Sequence, residues 1–276
     1  MPDNSSTGDP SSGDPGSGDP SSGSPYDDLG RPPLRAAALT RALAPDGWRA
    51  EVVATARSTN EVVAARARAG EPAGLVLVAE QQSAGRGRLG RSWESPPRAG
   101  LTLSVLLRPA LPPGRLGWVS LWGGLAVARA LREQTGLDAV LKWPNDVMVG
   151  GRKVCGLLAE VPVEGAVVLG IGLNVSTSRA ELPVDTATSL LLEGATTTDR
   201  DTVLRAVLRS LTQVLVEASP AGYRALCATV GSQVRVELPG GRVAQGLAEA
   251  VDDAGRLVVA GQAYSSGDVV HLRSAD

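Results

Sequence analysis

The residue types best suited to binding chemistry lie between Gly85 and Trp93, where the chain reads Gly-Arg-Gly-Arg-Leu-Gly-Arg-Ser-Trp. The glycines allow the backbone to approach a ligand closely and to direct successive N–H groups into one concavity. The arginines supply planar, permanently charged groups that match carboxylate and phosphate oxygens. The stretch therefore predicts a binding site for a small anion.

Two other interpretations of this glycine–arginine loop have to be weighed. The glycines at 85, 87 and 90 satisfy the dinucleotide-binding pattern G-x-G-x-x-G, but that pattern requires a helix to follow. The next residues, Arg-Ser-Trp-Glu-Ser-Pro-Pro at 91–97, cannot begin a helix, which excludes a dinucleotide site. A solvated loop that contacts RNA stays open at this point, and an isolated arginine–glycine string would favour it.

Composition restricts the chemistry further. The 276-residue chain has a formal net charge of -2, so it lacks the basic character of nucleic-acid-binding domains. It contains one histidine, His271, and two well-separated cysteines, Cys155 and Cys227. A histidine-based triad, a multi-histidine metal site, a structural zinc site and a disulfide framework all lack their residues. Catalysis would have to use carboxylates, Lys, Arg, backbone amides and a borrowed metal such as Mg²⁺.

Hydrophobic periodicity indicates the elements that would position the loop. Residues 1–30 form a Gly-Asp-Pro-Ser tract that we expect to be disordered, because it has almost no apolar side chains to bury. The N-terminus has no basic cap and no apolar leader, and no later run could span a membrane, which favours a cytoplasmic protein. Strands are expected at 48–53, 75–80 and 101–107, and helices at 34–43, 116–134 and 199–218. The helical spacing at 116–134 places Trp118 and Trp122 in the core.

Three adjacent polar residues, Ser58, Thr59 and Asn60, precede an expected helix that ends near Gly70. Ser58 and Glu61 fit a capping box, in which each side chain binds a free backbone N–H group at the helix start. The same hydroxyls and amide, at the positive end of a helix, could instead bind polar atoms of a ligand. The residues alone favour the capping role.

A further group of polar residues lies in the turn Lys142-Trp143-Pro144-Asn145-Asp146 and in the hairpin that follows it. Gly150 and Gly151 form a tight turn into the next strand, which begins at Arg152 and includes Lys153. Taken singly, Asp146 is typical of a turn and Lys153 of a solvated hairpin. Glycines at 156, 170 and 172 interrupt otherwise strong strands, which indicates that a group packs closely against that face. Short strands after residue 233 predict a small β-barrel of about four or five strands.

Taken together, these segments resemble the biotin protein ligases, which attach biotin to biotin-dependent carboxylases. The resemblance covers about residues 35–273, and the order and spacing of several motifs agree. Many bacterial ligases of this kind begin with a DNA-binding helix-turn-helix, where this chain has an acidic tract, so no repressor function is carried over. The matching segments are Ser58-Thr59-Asn60, Gln82 through Trp93, Lys142 through Asp146, Lys153 with Gly156, Gly172-Leu173-Asn174-Val175, and Ala187-Thr188-Ser189-Leu190.

The resemblance implies an α/β (α+β) fold. A mixed β-sheet would carry helices packed on one face, as in class II aminoacyl-tRNA synthetases and lipoate ligases, and a small SH3-like β-barrel would follow it. Three regions are expected: a disordered tail at 1–30, a catalytic domain at 31–228 and an SH3-like C-terminal domain at 229–276.

The implied activity is that of an ATP-dependent biotin–protein ligase, which works in two steps. The carboxylate of biotin attacks the α-phosphorus of ATP, giving biotinyl-5′-AMP and pyrophosphate. A lysine of a biotin carboxyl carrier protein then attacks this mixed anhydride and releases AMP. The attack of one anion on another requires fixed positive charge, but it requires no enzyme nucleophile and no histidine. This agrees with a chain that has a single histidine.

The resemblance also assigns individual residues. The catalytic residues would be Lys153, Arg88 and Asp146. Biotin would contact Ser58, Thr59, Asn60, Gln82, Arg86, Gly87, Arg88, Lys153 and Gly156. ATP or the adenylate would contact Arg86, Arg88, Trp93, Asn145, Lys153 and Asn174. Asn145 and Asp146 would either position Mg²⁺–ATP or orient the incoming lysine. The loop at 85–98 is expected to be mobile without ligand and to close over the adenylate, which excludes water.

Two alternatives remain. A lipoate or octanoate ligase uses the same adenylation chemistry, but a tunnel for an acyl chain requires apolar residues. The polar residues at these positions favour biotin instead: Ser58, Thr59, Asn60 and Gln82. A non-catalytic nucleic-acid- or ligand-binding protein is disfavoured by the net charge of -2, because binding to nucleic acid depends on positive charge. The expected partner is the biotin carboxyl carrier domain of acyl-CoA carboxylases, with no DNA and no membrane, and the chain is expected to be a monomer or weak homodimer.

Overall fold

A computed structural model describes residues 30–238, 240–265 and 267–272. The expected disordered tail lies outside the described residues, apart from Gly30 at its end. The residues from Pro33 onward form one compact unit.

The strands between residues 30 and 174 form a seven-stranded sheet and a short separate hairpin. The sheet has the order β1-β2-β5-β9-β8-β7-β6; β1 and β2 are parallel, and all other neighbours are antiparallel. The hairpin consists of β3 and β4. These strands are β1 (Arg49–Ala56), β2 (Leu75–Gln82), β3 (Gly85–Arg86), β4 (Ser92–Trp93), β5 (Gly100–Leu107), β6 (Val140–Lys142), β7 (Asp146–Val149), β8 (Arg152–Val163) and β9 (Ala166–Asn174).

The α-helices are α1 (Ala36–Leu43), α2 (Thr59–Arg68), α3 (Gly117–Thr135), α4 (Arg200–Glu217) and α5 (Pro220–Leu226). Four of them agree with the sequence pattern, and α5 was not expected. Pro220 lies past the end of α4 as expected, but it also occupies the first turn of α5, where proline suits the helix and the Ser219 side chain accepts from Ala221 N. The tryptophans expected in the core are buried: Trp118 is 0% and Trp122 is 1% exposed.

The two faces of the sheet differ in what covers them. Side chains of α1, α3 and α4 pack on one face, where they meet alternate residues of β5 such as Leu101, Leu103 and Val105. On the opposite face α2 forms a smaller apolar cluster with β2 and β9. The expected mixed sheet with helices on one face is therefore confirmed for the main layer, and α2 is the helix that lies on the other face. Because side chains alternate along a strand, Thr102 and Ser104 of β5 point to the α2 face.

The C-terminal region forms a five-stranded antiparallel sheet with the order β13-β12-β11-β10-β14. This agrees with the expected four or five strands. The indole Nε1 of Trp118 donates to Asp253 O at 2.9 Å, and that of Trp143 donates to Gly255 O at 3.0 Å, so the turn at 252–255 packs on the main layer. The five strands are β10 (Gln233–Glu237), β11 (Val243–Val251), β12 (Leu257–Val259), β13 (Gln262–Tyr264) and β14 (Asp268–His271).

Candidate active site

The start of α2 differs from the expected capping box. Ser58 is the N-cap residue with extended backbone, but its side chain makes no capping hydrogen bond. Glu61 instead faces the side chain of Arg86, with 3.6 Å between the charged groups. Ser58 is buried and lines a cavity. The capping role that the residues alone favoured is therefore wrong for Ser58; the helix does end as expected, with Gly70 in the left-handed region just past it.

A buried hydrogen-bond network fixes the polar residues at this end of the cavity. Thr59 N donates to Gln82 Oε1 at 2.8 Å, and Thr59 Oγ1 lies 3.2 Å from the same oxygen. Behind them, Ser104 Oγ lies 2.7 Å from Thr59 Oγ1 and 2.6 Å from Asn60 Oδ1. Asn60 Nδ2 donates to Glu160 Oε2 at 2.7 Å and to Leu158 O at 3.2 Å. These contacts hold Thr59, Asn60 and Gln82 in one geometry.

The strand glycines face the same cavity, and each is in contact with a group that a side chain would displace. A Cβ at Gly170 would lie 2.3 Å from Asn60 Oδ1, and one at Gly172 would lie 2.4 Å from the Trp93 ring. Gly156 pairs with Gly172 across β8 and β9, and a Cβ there would lie 3.0 Å from Lys153 Nζ. The prediction that groups pack closely against these glycines is confirmed.

The glycine–arginine loop folds back as the hairpin of β3 and β4, with a short 3₁₀ turn at Arg88–Gly90 between the strands. The strand β4 follows where a dinucleotide site would require an α-helix, which agrees with the exclusion of such a site. The hairpin places Trp93 over Gly172, with the indole Nε1 buried and without a hydrogen-bond partner among the described residues.

Arg88 differs from the other cationic side chains of the cavity. Lys153 Nζ lies 2.6 Å from Asp146 Oδ1, Arg91 pairs with Asp268, and Arg86 faces Glu61. Arg88 makes no ion pair with any described residue. Burial lowers the pKa of its guanidinium, and the nearby carboxylates of Asp146 and Asp268 oppose the shift. A partly desolvated cation without an ion partner is suited to bind an incoming anion.

Lys153 is held on both sides by the segment at 186–188. Lys153 N donates to Thr186 O at 2.8 Å, and Thr188 N donates to Lys153 O at 2.8 Å, so the segment pairs with the start of β8. The Lys153 ammonium therefore projects from a fixed backbone, 5.8 Å from the centroid of the Trp93 ring.

The amides of Asn145 and Asn174 are both engaged with backbone. Asn145 Nδ2 donates to Leu157 O at 2.9 Å, and Asn145 lines the cavity. Asn174 is buried, donates to Thr188 O at 2.9 Å, and is absent from the lining of the cavity. Its expected contact with a nucleotide therefore stays a prediction that this geometry does not support.

The residues fit a metal that arrives with a substrate better than one held by the protein. In the described part of the chain, no group of three or more His, Cys, Asp or Glu side chains is placed to hold a metal ion. Asp146 is a carboxylate of the cavity, and Mg²⁺ commonly binds one or two carboxylates while phosphate oxygens complete its shell.

The side chains that the sequence singled out converge on one cavity of about 110 Å³. It has a polar end, where Asn60 meets Gly170, and a cationic end, where Trp93 and Lys153 meet the Gly156–Gly172 pair. The two ends are separated by two residues of β9, or about 7 Å. All the assigned site residues except Asn174 line it: Ser58, Thr59, Asn60, Gln82, Arg86, Gly87, Arg88, Trp93, Asn145, Asp146, Lys153 and Gly156.

Sequence reasoning missed three residues of this site. Ser104 and Glu160 hold Asn60 from behind, and Asp268 brings the C-terminal sheet to the cavity, where it also pairs with Arg91. The alternation of Thr102 and Ser104 with leucines in β5 was a signal that one face of this strand is polar. Nothing in the sequence indicated that Asp268 would return to the loop.

Two family models match the chain. Residues 52–176 match the biotin/lipoate A/B protein ligase family, and residues 229–272 match the biotin protein ligase C terminal domain. In the part of the chain that the structure describes, no helix is long and apolar enough to cross a membrane.

Similar proteins agree with both matches. The chain is 45% identical to the biotin–acetyl-CoA-carboxylase ligase of Mycobacterium tuberculosis over 88% of this chain and 97% of that protein. A biotin protein ligase of Aquifex aeolicus in complex with biotin and ATP superposes with a TM-score of 0.68 at 30% identity, covering 82% of this chain and 99% of that one. The Leishmania major ligase with biotinyl-5-AMP superposes with a TM-score of 0.59 at 26% identity, covering 82% and 98%. On this evidence the chain belongs to the biotin protein ligases of the biotin/lipoate ligase family.

Proposed function

We propose that this protein is an ATP-dependent biotin–protein ligase that activates biotin as biotinyl-5′-AMP and transfers it to a lysine of a biotin carboxyl carrier protein. The observation that carries the proposal is the polarity of the cavity. A fixed set of hydroxyl and amide groups forms one end, and Lys153 and Arg88 line its cationic part. Biotin has a matching shape, with a polar ureido ring at one end of the molecule and a carboxylate at the other.

The first step requires the carboxylate of biotin to approach the α-phosphate of ATP. Arg88, which lacks an ion partner among the described residues, supports binding of one of these anions. Lys153 would stabilise the charge that develops between them; its backbone is held by pairing with the segment at 186–188, and its ammonium contacts Asp146. In this step the ammonium has to exchange part of its contact with Asp146 for the phosphate oxygens.

Mg²⁺ would enter with ATP and neutralise charge on its phosphates. Asp146 is the residue that would hold it, and Asn145 would act by orienting the neighbouring backbone, because its amide is engaged with Leu157 O. When Lys153 turns to the phosphates, the Asp146 carboxylate becomes available either to the metal or to the incoming lysine of the carrier.

The polar end of the cavity favours biotin over lipoate. Lipoate carries an apolar dithiolane ring, which would leave Thr59 and Gln82 without a polar partner from the ligand. Burying polar groups that lose their hydrogen bonds is unfavourable by roughly 1–3 kcal/mol for each group. The acceptor would be the carrier domain of an acyl-CoA carboxylase, as the name of the Mycobacterium tuberculosis relative indicates for that protein. An enzyme that uses ATP and these carboxylases would act in the cytoplasm.

The half-reaction can be tested by measuring pyrophosphate release with ATP and Mg²⁺, in the presence of biotin or of lipoate. The chain offers a matched pair of variants, because it contains two lysines. We expect Lys153→Ala to lower biotin-dependent release by roughly 10²- to 10³-fold, the range for the loss of one group that stabilises developing charge. Lys142→Ala should stay within about threefold of wild type, since Lys142 does not line the cavity.

Release that depends on biotin and is lost in Lys153→Ala would establish the adenylation step. Release with lipoate instead of biotin would leave the family assignment unchanged and would show that the substrate is lipoate. Release at the wild-type rate in both lysine variants would show that Lys153 has no part in the step.

A further inference from the structure

Ser104 lies directly behind the polar end of the cavity without lining it. Its side chain is 0% exposed, and it contacts both Thr59 and Asn60. We infer that Ser104, together with Asn60 and Glu160, is a positioning residue that fixes the hydroxyl proton of Thr59 away from the cavity, so that Thr59 Oγ1 acts as a hydrogen-bond acceptor for biotin. The inference rests on the proposed function and specifies how the ureido ring is recognised.

Four side chains form a row that contains fewer protons than contacts. Gln82 Oε1, Thr59 Oγ1, Ser104 Oγ and Asn60 Oδ1 follow one another at 3.2, 2.7 and 2.6 Å. Only the two hydroxyls carry protons, so two of the three contacts can be hydrogen bonds. The contact without a proton is the longest one, 3.2 Å between Thr59 Oγ1 and Gln82 Oε1. Gln82 Oε1 does not need this proton, because it already accepts from Thr59 N at 2.8 Å. Thr59 then donates to Ser104, and Ser104 donates to Asn60.

The direction of this row is fixed at its far end by Glu160. The amide of Asn60 directs its Nδ2 to the carboxylate of Glu160 and to Leu158 O, both of which are acceptors. A flipped amide would place an oxygen against both acceptors and would lose two hydrogen bonds. Asn60 Oδ1 therefore has to face Ser104, and it requires the Ser104 proton. Both amide protons of Asn60 are used, so Asn60 orients Thr59 instead of donating to a ligand.

At the near end, the arrangement determines what the cavity offers. Gln82 Oε1 is engaged with Thr59, which leaves the Gln82 Nε2 protons as donors. Thr59 Oγ1 donates its proton to Ser104, so it presents a lone pair. Beside the Ser58 hydroxyl, the polar end thus presents an acceptor at Thr59 and donors at Gln82, which matches a cyclic urea, since a urea has N–H donors beside a carbonyl acceptor. A dithiolane ring has neither.

The test uses the apparent KM for biotin, the KM for ATP and kcat in pyrophosphate release. Ser104→Ala should raise the KM for biotin about tenfold, the upper range for one hydrogen bond, while the KM for ATP and kcat stay near wild type. Glu160→Leu, which removes the acceptor, should raise the KM for biotin similarly. Glu160→Gln retains an acceptor oxygen and should stay within about threefold of wild type. The double variant Ser104→Ala/Glu160→Leu should be no worse than either single variant, because both break the same row.

Ser210→Ala is the matched control. It removes another buried serine hydroxyl, one in α4 that has no hydrogen-bond partner among the described residues, and it should leave all three kinetic values unchanged. An unchanged KM for biotin in Ser104→Ala, or an equal rise in the KM for ATP, would overturn the inference. If wild type releases no pyrophosphate with biotin, the proposed function fails and the inference fails with it; an active wild type with a normal Ser104→Ala variant overturns the inference alone.

Discussion

Arg88 shows how a single residue can serve binding at the expense of stability. The other cations of the cavity are close to carboxylates, whereas Arg88 faces no ion partner among the described residues and burial lowers its pKa. A desolvated charge of this kind is unfavourable in the unliganded protein and becomes favourable when an anion binds.

Arg88→Met should therefore separate activity from stability. We expect biotin-dependent pyrophosphate release to fall roughly 10²-fold, because a fixed positive charge is lost. The thermal midpoint should rise by about 2 °C, since the variant no longer buries an unpaired cation in the absence of ligand. Release assays and differential scanning calorimetry would check both values. A midpoint that falls by several degrees would show that Arg88 supports the fold.

At the scale of elements, the sheet itself forms part of the cavity. The strands β8 and β9 carry glycine where the groups of the site come closest to the backbone, at 156, 170 and 172. Interior glycines weaken strands, so their presence in two adjacent strands is explained by the close approach of Asn60, Trp93 and Lys153. The site and α2 share the face of the sheet that the main helical layer leaves uncovered.

Gly170→Ala tests this role of the strands. Its Cβ would lie 2.3 Å from Asn60 Oδ1, so Asn60 would have to move and the row to Thr59 would be disturbed. We expect the KM for biotin to rise about tenfold and stability to fall by roughly 1–3 kcal/mol, the usual effect of overpacking. In Gly117→Ala, the new Cβ meets only Ala254 O at 3.6 Å, so kinetics and stability should stay near wild type. Similar behaviour of the two variants would contradict the close-packing account.

The sequence predicted the elements of the main sheet better than it predicted their contacts. Hydrophobic runs and hairpin glycines indicated β2, β5, β8 and β9, because burial and turn geometry act locally. The capping role predicted for Ser58 was wrong because it was based only on neighbours in sequence. Ser58 instead lines a cavity that distant strands build. Ser104 and Glu160 were missed because each acts through Asn60, from which they are 44 and 100 residues away.

At the scale of the whole molecule, the C-terminal sheet contributes to the site. Asp268 of β14 lines the cavity and pairs with Arg91 of the glycine–arginine loop, so residues separated by most of the chain meet there. His271 of the same strand lies 3.1 Å from Thr229 Oγ1, which accepts from Trp143 N, next to the Pro144-Asn145-Asp146 turn. The expected boundary between 228 and 229 stays a prediction, since the residues from Pro33 onward form one compact unit.

Asp268→Asn tests whether this sheet stabilises the closed loop. We expect the amides of residues 85–98 to exchange rapidly in the unliganded protein and slowly when biotin and ATP are present. In liganded Asp268→Asn, these amides should exchange about two- to fivefold faster than in the liganded wild type. The variant loses the Arg91–Asp268 ion pair, and an exposed ion pair contributes roughly 0.2–1 kcal/mol. Hydrogen exchange followed by mass spectrometry would measure this. A loop that is equally protected with and without ligand would contradict the expected closure.

The most direct test of the account is the transfer of biotin to protein. The chain would be incubated with ATP, Mg²⁺, an unmodified biotin carboxyl carrier domain and either biotin or lipoate, and the intact mass of the carrier would be measured. The account predicts the addition of one biotinyl group to one lysine of the carrier, dependent on ATP, and no addition of lipoate. A carrier that gains a lipoyl group, or that stays unmodified while pyrophosphate is released, would contradict it.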